Sequence, residues 1–291
     1  MKSPASITPV AGPASMLLPV GLLLISMVSI QGGAALAKSL FPLVGAPGIT
    51  ALRLGLATII LFVIFKPWRV RLHAGNRLPL LGYGLALGTM NFLFYLSIRT
   101  VPLGVAVALE FTGPLALAIF GSRRAVDFLW VVLAVLGLAF LLPLGQALGS
   151  VDLKGALLAL GAGACWALYI LAGQRAGSHN GPATVALGSL IGALIYCPIG
   201  IIASGSALFD PSLLPLALAL AILSSALPYS LEMVALTRMP ARTFGTLMSL
   251  EPALAAFSGM LFLNEHLSVI QWLALSAIIC ASAGATMTAR R

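Results

Sequence analysis

The chain has 291 residues, 60% of them hydrophobic and only 8% charged, with a net charge of +9. A soluble domain keeps about a quarter of its residues charged, and no interior this chain could enclose would take so many apolar side chains. The solvent is therefore lipid, and with the basic residues set between apolar runs the positive charge reads as membrane topology rather than a nucleic-acid surface.

Residues 1–16 are rich in Pro, Ser and Ala and read as a disordered tail. Ten apolar spans of roughly 20 residues each follow. The first, 17–39, contains Gln31 and ends at Lys38. An "ALA" at Ala35–Ala37 resembles a signal-peptidase site. The apolar stretch before it is long and its basic region is Lys2 alone, so the span is read as retained. The second, 48–65, starts after the Pro47-Gly48 joint and places Arg53 five residues in. The third, 78–98, sets Asn91, Tyr95 and Arg99 at i, i+4 and i+8 on one drifting stripe, beside Phe92 and Phe94, which read as packing. The fourth, 103–121, is apolar but for Glu110 and contains Pro114; the fifth is 126–144. The sixth, 153–173, holds Trp166, and the seventh is 182–203. The eighth, 213–236, holds Pro228, Tyr229 and Glu232; the ninth, 241–263, holds Glu251-Pro252; the tenth is 268–288. Pro114, Pro228 and Pro252 are expected helix breaks, tolerated where neighbouring helices satisfy the freed backbone. Gly84/Gly88 and Gly188/Gly192, four apart, suit close helix contact. Cys165, Cys197 and Cys280 lie in apolar runs without CxxC spacing and read as small buried hydrophobes. No metal or cofactor is expected.

The loops alternate in charge. Lys2, the cluster Lys66, Arg69, Arg71 and Arg77, then Arg123 and Arg124, Arg175, Arg238 and Arg242, and Arg290 and Arg291 fall on one side. The other side has Lys38, Arg99 and Lys154 with Asp152, Asp210 and Glu265. Positive charge stays in the cytoplasm, which predicts both termini there and an even number of crossings. Trp68 fits an anchor at the cytoplasmic interface, where aromatic residues gather.

The chain also repeats itself. "RTVPLGVAVALEFTGPLALAIFG" (99–121) and "TRMPARTFGTLMSLEPALAAFSG" (237–259) align on Pro102 and Pro240 at an offset of 138, which matches Pro114 with Pro252 and Gly121 with Gly259. Five spans therefore repeat as five, over 17–148 and 149–291. An odd-numbered repeat sets its copies in opposite orientations, an architecture that places a site near the midplane between them. The predicted fold class is an all-α integral membrane protein, two inverted five-helix repeats around a central cavity. Counted from the aligned prolines, Glu110 and Glu251 differ by three positions, about 60° around an ideal helix, so both acids could face one space at similar depth.

"SIQGGAALAKSLFPLVGAPGITALRL", "TVPLGVAVALEFTGPLALAIFGSRR", "GACWALYILAGQRAG" and "ALPYSLEMVALTRMPARTFGTLMSLEPALAAFSGM" resemble the drug/metabolite transporter superfamily, built from two EamA-type repeats. Within it the chain is most similar to bacterial inner-membrane exporters of threonine and homoserine. The resemblance runs over nearly the whole chain after residue 16. It implies ten helices, a central cavity and proton-driven efflux of small neutral amino acids. The superfamily's basic residues in the first two helices and its Glu-Pro in the ninth match Lys38, Arg53 and Glu251-Pro252. The tryptophan expected early in the first helix is absent, with Gln31 near its place, whereas the second repeat keeps Trp166. Glu110 aligns with Met248 rather than Glu251, so the acids are not simple repeat mates.

Charged side chains at mid-bilayer are costly and usually face a cavity or a partner. A zwitterionic amino acid needs a donor for its carboxylate, Arg53 or Lys38, and an acceptor for its ammonium, Glu110 or Glu251. A Glu that releases its proton to meet an ammonium would couple the two fluxes. Blander readings stand beside these. Each Glu could be protonated and bonded to a neighbouring helix, Glu232 could pair with Arg238 at the interface, and Lys38 and Arg53 could snorkel to headgroups. Asn91, Gln31 and Tyr229 could be helix glue. Expected partners are a small amino-acid substrate, protons and the bilayer, with a homodimer left open. A different small metabolite or drug-like cation as cargo, and a passive channel of the same fold, remain alternatives. No phosphate loop, G-x-S-x-G or H-E-x-x-H occurs, and His73, His179 and His266 all lie in loops, so neither a pump nor an enzyme is expected.

Overall fold

The computed structural model describes residues 13–69, 74–120, 125–141, 152–181, 183–238, 244 and 247–288. Lys2, Arg71, Arg123, Arg124, Arg242, Arg290 and Arg291 lie outside the described residues, as does the tail up to residue 12. The described elements are helical: α1 (Pro13–Ser39), α2 (Phe41–Phe65), α3 (Arg77–Ser97), α4 (Leu103–Phe120), α5 (Ala125–Leu141), α6 (Leu153–Asn180) and α7 (Ala183–Ser204). The eighth span is a continuous rod of α8 (Leu214–Ala221), a π-helical turn (Ile222–Ala226) and α9 (Leu227–Arg238). α10 (Glu251–Leu263) and α11 (Val269–Thr288) complete the chain. Six helices are long and apolar enough to cross a membrane, and four shorter apolar ones, Leu103–Leu117, Phe128–Phe140, Glu251–Leu263 and Val269–Gly284, accompany them.

Helix packing repeats between the halves. α3 lies on α6 as α9 lies on α1, α4 lies on α6 as α10 lies on α1, and α3 lies on α7 as α8 lies on α2. Three further contacts, α2 with α7, α4 with α10 and α5 with α11, each join an element to its own counterpart. Exchanging the two halves maps this pattern onto itself, and five crossings per half invert the second copy. The Gly pairs foreseen in α3 and α7 make one of these contacts. A Cβ on Gly192 would stand 3.1 Å from the Gly88 Cα, so small residues let these helices approach closely.

Two spans depart from the sequence reading. α2 runs from Phe41 but is kinked at Gly45, at φ 68°, so a short leading helical turn precedes the main helix, which Pro47 enters in its first turn, close to the expected start at 48. Glycine alone takes that conformation without strain, and proline is tolerated where its missing N–H has no helical partner. Arg53 lies eight residues beyond the Gly45 kink and twelve before the end of α2 at Phe65, and it is buried. The ninth span is not one helix over 241–263. Ser249 and Leu250 form a turn, and α10 begins at Glu251. Pro252 has no N–H to continue the preceding turn, so Glu251 sits in the first turn of a half-helix and the helical-wheel relation to Glu110 does not apply. Cys280 is exposed rather than buried, while Cys165 and Cys197 are half-buried, and all three are free.

One end of the bundle is tied shut. Lys38 Nζ meets Glu265 Oε1 at 2.6 Å and donates to the Val101 carbonyl at 3.0 Å. Glu265 Oε2 accepts from the Leu103 N–H at 2.7 Å. Behind this knot Val101, Leu103, Val105, Ala106 and Leu109 are fully buried. At the same end Asp152 caps α6 by accepting from the Gly155 N–H and the Thr100 hydroxyl, both at 2.8 Å. These bonds hold the Asp152 carboxyl below the usual carboxylate range. The opposite end carries Lys66, Arg69, Arg77, Arg175 and Arg238, with Trp68 exposed beside it.

Candidate functional site

A cavity of about 600 Å³ opens among the helices of both halves. That is within the range of about 300–1,000 Å³ typical of small-molecule sites. Gln31 of α1, Arg53 of α2, and Asn91 and Tyr95 of α3 line it on one side. Glu110 and Pro114 of α4 and Trp166 of α6 continue the wall, and Tyr229, Glu232 and Glu251 complete it. The cavity runs on to Gln174 of α6 and Val185 in the first turn of α7, toward the arginine-rich end. Lys38 is not part of it and belongs to the tied end.

Arg53 is held in a bracket of neutral acceptors. Its Nε donates to Ser225 Oγ at 3.1 Å, Nη2 to the Ser224 carbonyl at 2.7 Å, and Nη1 to Asn91 Oδ1. Asn91 is fixed in turn by donating Nδ2 to the Leu87 carbonyl at 2.8 Å. The guanidinium lies 5.4 Å from the Tyr95 ring centroid, close enough for a cation–π contact. Desolvated among neutral partners, the guanidinium has no ion pair within the described residues. Its snorkelling alternative does not hold, because the guanidinium is bonded to Ser225, Ser224 and Asn91 and the residue is only 6% exposed.

The acids differ in their surroundings. Glu110 and Glu251 are buried, and among the described residues neither carboxylate has a hydrogen bond or an ion pair. Glu232 accepts from the Ser26 hydroxyl at 2.8 Å and lines the cavity, so it does not pair with Arg238. The reason is geometric: six residues along a helix is about 600°, which turns the two side chains to different faces. Gln31 Oε1 is buried without a partner. Phe111 meets Trp166 edge-on, ring centroids 5.5 Å apart. Phe94 and Tyr95 are buried in the core and also line the cavity, while Phe92 packs on Tyr196 with centroids 4.9 Å apart.

Of the three expected breaks only Pro252 follows an interruption of its helix; Pro114 lies inside α4 and Pro228 inside a continuous helical rod, after its π-turn. A proline removes the N–H that would bond the carbonyl four residues earlier. Pro114 stands four after Glu110, Pro228 four after Ser224 and Pro252 four after Met248, and all three preceding residues line the cavity. α4 continues through Pro114 without a break. Its freed Glu110 carbonyl faces Gly163 of α6, where a Cβ would collide with that oxygen. Ser224 and Ser225 were not singled out from the sequence; the signal that marks them is a serine pair three and four residues before a proline inside an apolar span.

The EamA-like transporter family model matches residues 153–287. The threonine/homoserine exporter RhtA of Escherichia coli (strain K12) is 71% identical over 274 residues, covering 94% of this chain and 93% of that protein. The chain belongs to the EamA-like transporter family. RhtA of Salmonella typhimurium (strain LT2) is 72% identical over the same shares of each chain. A protein of known crystal structure matches with a TM-score of 0.60 over 93% of this chain and 99% of its own, at 21% identity, a likeness of fold. The chain is thus a multi-pass membrane transporter and not an enzyme, and the EamA-type fold inferred from the sequence is the fold observed.

Proposed function

We propose that the protein exports threonine, homoserine and other small neutral amino acids from the cytoplasm in exchange for protons. Both termini lie in the cytoplasm of a bacterial cell whose inner membrane the ten segments cross. The observation that carries the reading is one cavity that brings a guanidinium, Arg53, together with two carboxyls free of hydrogen bonds and ion pairs, Glu110 and Glu251. Similarity to exporters named for threonine and homoserine supports the cargo.

Arg53 takes the substrate carboxylate and Glu110 or Glu251 its ammonium. With the site empty, an ionised carboxylate without a partner this far from the membrane surface is costly, so each acid favours the protonated form. An arriving ammonium supplies the missing partner, the carboxyl ionises, and its proton leaves. Loading the amino acid and releasing the proton are then one event. The half-helix starting at Glu251 adds its N-terminal dipole, which favours the ionised form when a cation is near. With the tied end taken as periplasmic, the cavity reaches toward the cytoplasm, as an exporter awaiting cargo requires. The tie at Lys38–Glu265 also favours a carrier over an open channel.

Purified protein in liposomes loaded with labelled threonine tests this. An imposed pH gradient should drive threonine out against its concentration gradient. Threonine flux indifferent to the proton gradient contradicts the exchange, and absence of any threonine or homoserine flux contradicts the cargo.

A further inference from the structure

Ser224 of the cavity wall belongs to a π-helical turn, Ile222–Ala226, followed by Pro228. π-turns are rare, and they occur disproportionately at functional sites. In the α register the Pro228 N–H would bond the Ser224 carbonyl, and in the π register the Leu223 carbonyl. Proline supplies neither bond. Both oxygens are taken from outside the rod: Leu223 accepts from the Ser29 hydroxyl at 2.7 Å, and Ser224 from Arg53 Nη2 at 2.7 Å. The Ser224 hydroxyl turns back to the Leu220 carbonyl at 2.6 Å, which leaves the Ser225 hydroxyl to accept from Arg53 Nε. α1 presses on the turn from behind, where a Cβ on Gly33 would stand 2.9 Å from the Ser224 Cβ.

A guanidinium has five N–H donors in a rigid plane. Nε and Nη2 engage the two consecutive acceptors of the turn, and Nη1 engages Asn91. Five less three leaves two N–H groups, one on each terminal nitrogen, and Arg53 lines the cavity. Two donors on a fixed plane suit bidentate capture of a carboxylate.

We propose that Ser225 and Pro228 are positioning residues: the proline-freed Ser224 carbonyl and the Ser225 hydroxyl lock the plane of Arg53 so that its remaining two N–H groups select substrates bearing a carboxylate. This rests on the reading of Arg53 as the carboxylate receptor. Neither residue touches the cargo; both act through the guanidinium. Without the lock Arg53 stays charged but rotates, and a point charge replaces a fork.

The test measures dissociation constants of threonine and of threoninamide, which keeps the ammonium and side chain but lacks the carboxylate, by calorimetry on the full-length protein in detergent. The wild-type protein should prefer threonine. Ser225→Ala and Pro228→Ala should weaken threonine on the order of tenfold and leave threoninamide unchanged, and Ser225→Thr, which keeps the hydroxyl, should restore the preference. Arg53→Ala should abolish it. If Arg53→Ala abolishes the preference while Ser225→Ala leaves it intact, the positioning role is overturned and the reading of Arg53 stands. If Arg53→Ala keeps the preference, the reading itself falls. Equal weakening of both ligands in Ser225→Ala and Ser225→Thr also overturns the proposal, since general damage to the bundle does not distinguish a carboxylate from an amide.

Discussion

Lys38 and Arg53 are both basic residues of the first repeat, and the structure treats them oppositely. Lys38 meets a carboxylate at 2.6 Å, with a carbonyl as second acceptor. Arg53 bonds only to neutral acceptors, although Glu110 and Glu251 line the same cavity. A charge with its counter-ion in place holds helices together; a charge kept beside unpaired acids is left for something that arrives. The difference between the tied end and the cavity is therefore one of saturation rather than of composition.

Removing the cavity charge should have the largest effect. Arg53→Ala should lower threonine transport on the order of 100-fold, the size expected when one partner of a buried charged contact is lost, with little change in the protein's elution or helicity. Near wild-type export by cells carrying that variant, read as tolerance of high external homoserine, would place Arg53 with Lys38 as an anchor. Cutting the tie should act on stability first. Lys38→Met or Glu265→Gln alone leaves its partner uncompensated at a site only 20% and 13% exposed. Each should cost about 1–3 kcal/mol, read as a fall in thermal midpoint. The double replacement Lys38→Met/Glu265→Leu should cost less than the sum of the single ones.

A subtler change sharpens the same contrast. Gly163→Ala puts a methyl group against the Glu110 carbonyl. Overpacking of this kind costs about 1–3 kcal/mol and should displace α4 from α6, lowering transport more than it lowers the melting temperature. The equivalent substitution at Gly177 of the same helix meets nothing within 4 Å and should be silent in both assays.

The smallest effect is expected at Asp152. Its carboxyl is held low by the Gly155 N–H and the Thr100 hydroxyl. A carboxyl lowered in the folded state contributes stability above the pH at which the unfolded carboxyl ionises, and loses it as pH falls through the folded value. Thermal midpoints of Asp152→Asn should fall below wild type at neutral pH and converge with it in acid.

Much of this was legible in the chain. Loop charge and hydropathy marked the crossings, and the shared Pro102 and Pro240 registers marked the repeat, because both follow from what a bilayer demands of every residue. Arg53 and Glu110 stood out since charge in an apolar run is conspicuous wherever it occurs. The partners were not legible. Lys38 and Glu265 are 227 positions apart, and Arg53 and Ser225 are 172 apart. Only the packing of one repeat on the other joins them. The leading turn of α2 was not legible: Pro47-Gly48 reads as the joint, whereas the chain turns at Gly45, a few residues earlier, and Pro47 sits where a helix accepts proline. Glu232 was weighed against Arg238 along the chain, when its neighbour comes from α1.

The central claim is that the carboxyls in the cavity carry the exchanged proton. Glu110→Gln and Glu251→Gln keep the shape and hydrogen-bonding capacity of each side chain and fix it neutral. The decisive measurement is threonine flux through each reconstituted variant across a range of pH, with and without an imposed gradient. The account predicts that at least one variant folds and inserts, loses gradient-driven accumulation and loses the pH dependence, while retaining exchange of labelled for unlabelled threonine. Gradient-driven transport with wild-type pH dependence in both variants would contradict it.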